Sequence, residues 1–167
     1  LPIFEWFTAD VPNSTTRTGS RASVLLNGEF FDNVFVRVRG SATTSGQKFD
    51  FNRGAHPKIN DVVGRVEEIN LNGAGSDPTL LRPPIAFETF HIAGSLSLHS
   101  HHMLLRRNAG TDRVAIYVEQ PDDEYLQARG LDPEGALYKF DQRSNLNPIF
   151  SDSTDGVQKR TRRHEDK

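Results

Sequence analysis

The 167-residue chain contains no cysteine, one tryptophan and one methionine. Without cysteine there are no disulfides, thiolate zinc sites or cysteine nucleophiles, and the redox compartment stays open. No apolar run reaches the length of a bilayer span, and no charged, apolar and small-residue succession marks a signal peptide. Neither sign of charge dominates: 20 Lys and Arg stand against 22 Asp and Glu. The balance excludes a global pull toward nucleic acid or anionic membrane. The chain opens at Leu1-Pro2 without an initiator Met, which fits either a removed leader or an excerpt of a longer protein.

About a third of the residues, 35%, are apolar, enough for one ordinary core. In "ASVLLNGEFFDNVFVRVRG", Asn27-Gly28 separates two apolar runs and predicts a tight hairpin turn, whose central positions need positive φ. Beyond it Val34, Val36 and Val38 alternate with Phe35, Arg37 and Arg39, the period of a half-buried strand. A Ser/Thr/Gly stretch reads as a mobile loop, and alternation resumes at Lys48 to Phe51 as a third strand. A short strand is expected at Ile69 to Leu71. Asp77 is expected to cap a helix with Pro78 in its first position, and Pro83-Pro84 either kinks it or begins a second one that Gly94 ends.

"HHMLLRR" and "DRVAIYVEQ" flank "NAGT" as a second hairpin. "PDDEYLQARG" reads as a compact helix with Pro121 at its start, acids in its first turn, Arg129 in its last and Gly130 beyond. No internal repeat is visible. The order of hairpin, strand, helix, hairpin and helix matches the small lobe of a protein-kinase-like fold, with Glu119-Gln120-Pro121 as its hinge. The fold class expected is therefore α+β, antiparallel strands with a packed helix. Residues 1–167 are read as a single partial domain.

In that order, "VRVRGSATT…GQKFDF", "INLNGAGSDPTLLRPPIAFETFHIAG", "IYVEQPDDEYL", "GALYK" and "VQKRT" resemble the CotH family of spore-coat and secreted protein kinases. The likeness runs from about Val34 onward and leaves 1–33 outside it. It implies an atypical kinase, a transferase that moves the γ-phosphate of ATP to Ser of coat or extracellular proteins, at the spore or cell surface or outside the cell. Arg39, Gly40 and Ser41 fall on the family's phosphate loop, where glycine lets backbone N–H groups approach an anion. Lys48 falls on its lysine for the α- and β-phosphates. Glu88 is the candidate to orient that lysine, Glu119 and Gln120 match the adenine hinge, and Lys139 matches the lysine of "LYK". Arg82 matches a helix-start arginine of structural role.

The resemblance also implies ATP and Mg as cofactors, with the family's catalytic and metal-binding Asp residues lying beyond Lys167. No catalytic residue and no metal ligand is assigned within the chain, and its partners are expected to be ATP, a protein substrate and the carboxy-terminal half of the same domain. These 167 residues alone are expected not to catalyse phosphoryl transfer. Two departures stand out: "RNAGTDRVAIY" replaces the family's usual turn, and Pro83-Pro84 replaces helix formers.

Plainer explanations stay open. Lys48 and Glu88 are also ordinary surface charges, and Glu119-Gln120 also closes a strand. His99 and His101 share a strand face as metal ligands do, yet a polar loop explains "HSHH" equally. "QKRTRR" lacks the interleaved aromatics of a nucleic-acid site and reads as a solvated segment. "NST" at Asn13 has the form of a glycosylation acceptor. The alternative function is a noncatalytic surface module that keeps the kinase-like fold.

Overall fold

A computed structural model describes residues 1–39, 46–73, 77–140 and 157–161. The chain divides into two compact units, Leu1–Gln120 and Pro121–Lys167. In the first, seven strands close a barrel: β1 (Ile3–Phe7), β2 (Ser20–Leu26), β3 (Glu29–Arg39), β4 (Gly46–Asp50), β7 (Glu68–Asn72), β9 (Arg113–Val118) and β8 (Ser100–Arg107), in that spatial order. The short strands β5 (Lys58–Asn60) and β6 (Gly64–Arg65) form a side hairpin. Among the described residues two helices belong to this unit, α1 (Val11–Ser14) and α2 (Arg82–Ile92).

The expected α+β small lobe with a packed helix is not what forms: the unit is mostly β and its sheet closes on itself. The cause is β1, which pairs antiparallel with β2 and parallel with β8, so that neither strand is left with an open edge. Its five residues alternate, with Phe4 and Trp6 buried and Ile3 and Phe7 exposed. Phe49 of β4 meets both buried rings, at centroid distances of 4.6 Å from Phe4 and 5.4 Å from Trp6. Helix α2 buries none of its residues, and Ile85, Phe90 and Ile92 are 58%, 56% and 78% exposed. It is not the helix against which the sheet packs.

Local signals were good guides to the strands. Asn27 and Gly28 take φ values of 52° and 81° between β2 and β3, and Asn108 and Ala109 take 51° and 55° between β8 and β9. Val34, Val36 and Val38 all point into the core. The helix start is corrected: α2 begins at Arg82, so Pro83-Pro84 lies in its first turn, and Asp77 closes a preceding turn instead. One oxygen of Asp77 accepts from the Thr79 hydroxyl at 2.6 Å, the other from the Arg82 backbone N–H at 3.0 Å. These bonds, the Thr79 hydroxyl first, hold the Asp77 carboxyl below its ordinary range. Gly94, at φ 82°, ends α2 as expected, with the Gly94 and Ser95 N–H groups returning to His91 and Phe90 carbonyls.

The second unit holds α3 (Asp123–Ala128) and a hairpin of β10 (Tyr138–Phe140) and β11 (Val157–Lys159). Asp122 caps α3 by accepting from the Tyr125 N–H at 3.1 Å. The start of "QKRTRR" is thus a strand end rather than a free solvated segment. Thr161 anchors it, donating to the Gly135 carbonyl at 2.7 Å and accepting from the Leu137 N–H at 3.0 Å.

Candidate functional site

Strand alternation puts two different surfaces on β3, β4 and β7. Val38, Gln47 and Leu71 form an inward row, whereas Arg37, Lys48 and Asn70 form the adjacent outward row. Lys48 therefore stands on the outer face of the barrel, yet its side chain is only 12% exposed. Its ammonium lies 2.5 Å from Glu68 Oε1 and 3.4 Å from Asp50 Oδ1, and Asp50 in turn pairs with Arg37 at 3.6 Å. Two cations and two carboxylates thus form one balanced cluster across neighbouring rows of the outer face. A lysine held between two acids has lost most of its rotamer freedom, which is what an ammonium needs to meet an anion in fixed geometry.

The carboxylate beside Lys48 is Glu68 of β7. Glu88, expected in that role, sits on α2 and lines a separate hollow with Asn60, Val62, His91, His99 and His101. Helix register could not reveal this, because the partner comes from the neighbouring strand. The signal that was present is period-two polarity in "VEEINLNG": Glu68, Asn70 and Asn72 alternate with Ile69 and Leu71 and so share the face of Lys48.

Arg39 lies at the end of β3, where its guanidinium donates to Asn72 Oδ1 at 3.0 Å. Gly40 and Ser41 lie outside the described residues. Past β9, Glu119 and Gln120 are both buried. Glu119 binds the chain entering β8, accepting from the His99 N–H at 2.8 Å through its carboxylate and donating its own N–H to the His99 carbonyl at 2.9 Å. Gln120 Oε1 accepts from the Asn70 amide at 2.9 Å, which ties the strand end to the row of Lys48. Arg39, Lys48 and Gln120 are therefore gathered on one outer face, linked through Asn72 and Asn70. Lys139 is on β10 in the second unit, opposite Gln158.

The His cluster is brought close to an acid by the fold, as the hollow shared by Glu88, His91, His99 and His101 shows. Still, among the described residues no three His, Asp or Glu converge as a metal ion requires. His101 stacks on Tyr117 at 4.9 Å, and burial, then the neighbouring His102 and His99, hold its imidazole below the ordinary value. No described helix is long and apolar enough to cross a membrane.

Comparison with known proteins adds two findings. A family model described as CotH kinase protein matches residues 36–167. The inner spore coat protein H of Bacillus subtilis (strain 168) is 29% identical over 85 residues, which cover 51% of this chain and 23% of that relative. The aligned part is thus less than a quarter of the relative's length.

Proposed function

The chain belongs to the CotH kinase family, and from that premise we propose that it supplies the nucleotide-holding part of a protein kinase acting on Ser of coat or extracellular proteins. The observation that carries the proposal is the clamped ammonium of Lys48, pre-oriented by Glu68 on the same face as Arg39 and Gln120. Phosphoryl transfer asks the protein mainly for positioning and charge neutralisation. In this proposal Lys48 meets the α- and β-phosphates, and the Arg39-Gly40-Ser41 connection lends backbone N–H groups to them. Glu119 and Gln120 border the adenine. Glu68, rather than Glu88, is the orienting carboxylate.

ATP fits the donor chemistry of this face and supplies the transferable phosphoryl group. For Mg the described residues offer no converging ligand set. The activity is proposed for the protein that carries this region, since the relative is much longer than the aligned segment. The relative's name places it in the spore coat, and the same surface setting, spore coat or extracellular, is proposed here.

The charge balance of Arg37, Lys48, Asp50 and Glu68 also favours a second reading, a noncatalytic surface module in which the cluster is structural. Transfer of labelled phosphate from ATP to a Ser-containing coat-protein fraction separates the two. Transfer that is abolished by Lys48→Met supports the kinase. No ATP binding by the whole protein, or transfer unchanged by Lys48→Met, removes this assignment.

A further inference from the structure

On the opposite side of the sheet from Lys48, the end of the barrel where β1, β3, β7 and β8 run out contains a cavity of about 230 Å³ lined by Trp6, Leu105, Arg107, Gly110, Thr111 and Arg113. That is far more room than one water needs. Its two charged side chains, Arg107 and Arg113, are both donors. The Arg107 guanidinium lies 5.8 Å from the centre of the Trp6 ring, and Arg113 donates to the buried Gln47 Oε1 at 2.6 Å. Thr111 adds a hydroxyl. Trp6 is 1% exposed, and its indole N–H has no hydrogen-bond partner among the described residues.

Two guanidiniums sharing one cavity, with no described carboxylate paired to either, is an unfavourable arrangement left as it stands. The nearby acids are engaged elsewhere: Glu5 and Asp112 both pair with Arg106 on the outer face. Burial, and then the like charge of Arg107, push the Arg113 guanidinium below its ordinary value. A bound anion would offset the repulsion between the two guanidiniums. Arg prefers phosphate and carboxylate because its planar fork matches their oxygens, and two such forks balance a dianion.

We propose that this barrel mouth is a binding site for a dianionic phosphate group, either the free ion or one carried on a phosphorylated side chain, held by Arg107 and Arg113 with Thr111. The site is distinct from the Lys48 face: Trp6, Arg107 and Arg113 share the inward side of β1, β8 and β9, whereas Lys48 is on the outward side of β4. It also depends on Trp6, which lies outside residues 36–167 matched by the family model.

Equilibrium dialysis against inorganic phosphate near neutral pH counts the bound ion, and the fluorescence of Trp6, the sole tryptophan, locates it. Saturable binding that matched chloride does not reproduce, retained in a Lys48→Met chain and weakened about tenfold by Arg107→Gln or Arg113→Gln, is the expected result. A phosphoserine peptide that binds more tightly than phosphate assigns the ligand to a side chain, whereas equal or weaker binding assigns it to the free ion. Arg107 and Arg113 are both exposed, so either variant keeps the fold and decides the matter. Absence of bound phosphate, or binding untouched by both Arg variants, overturns the proposal. Loss in Lys48→Met alone would move the ion to the outer face and overturn it equally.

Discussion

Lys48 Nζ lies 2.5 Å from Glu68 Oε1 although the two residues are not directly opposite in the sheet, since Lys48 faces Asn70 and Glu68 faces Asp50. The diagonal lets one ammonium reach the carboxylates of two strands at once. Both acids stay partly exposed, so the pairs contribute little to stability, on the order of 0 to 1 kcal/mol each. Their consequence is orientation.

Glu68→Gln should therefore weaken ATP binding by the whole protein more than Glu88→Gln does, while leaving the melting temperature nearly unchanged. Calorimetric titration with ATP checks this. An equal or larger loss from Glu88→Gln would return the orienting role to α2.

The closed barrel makes a second prediction about where stability resides. Phe49→Ala removes the ring that Phe4 and Trp6 both contact and should cost about 3–5 kcal/mol in denaturant unfolding. Phe90→Ala on α2 should stay within about 0.5 kcal/mol in this chain, because that side chain is already exposed. Comparable costs at both sites would contradict a helix that packs no core.

Two glycines with positive φ should respond differently to Ala. At Gly94 an added Cβ meets nothing within 4 Å, so the cost is the backbone conformation alone, about 1 kcal/mol. At Gly19 the Cβ would lie 2.5 Å from the Phe35 ring and 2.7 Å from the Val36 carbonyl oxygen, on top of φ 74°. Gly19→Ala should cost about 2 kcal/mol or more, and thermal unfolding of the two variants side by side tests the order.

A pH dependence follows from His101. Its folded value is lowered from 6.5, so the unfolded chain takes up the proton first. The stability that the neutral ring contributes is complete above 6.5 and is lost as pH falls through that value toward the folded one. His101→Phe should flatten the stability profile in this window while keeping the stack on Tyr117. A profile as steep as that of the parent chain would assign the dependence to other groups.

Sequence by itself determined the local structure and the family. Asn27-Gly28 and the Val34, Val36, Val38 alternation specify a hairpin and its buried face within a few residues, because turn geometry and strand period are properties of neighbours in the chain. The motifs from Val36 onward placed the chain in its family for the same reason. Closure of the sheet was decided only in three dimensions. Ile3 to Phe7 must pair with β8, about a hundred residues away, before the α+β lobe becomes a barrel, and nothing in a five-residue run encodes its partner. The site divides in the same way: Lys48 was legible as a residue, while Glu68 as its carboxylate, and Arg107 and Arg113 as neighbours of Trp6, exist only through strand register and barrel closure.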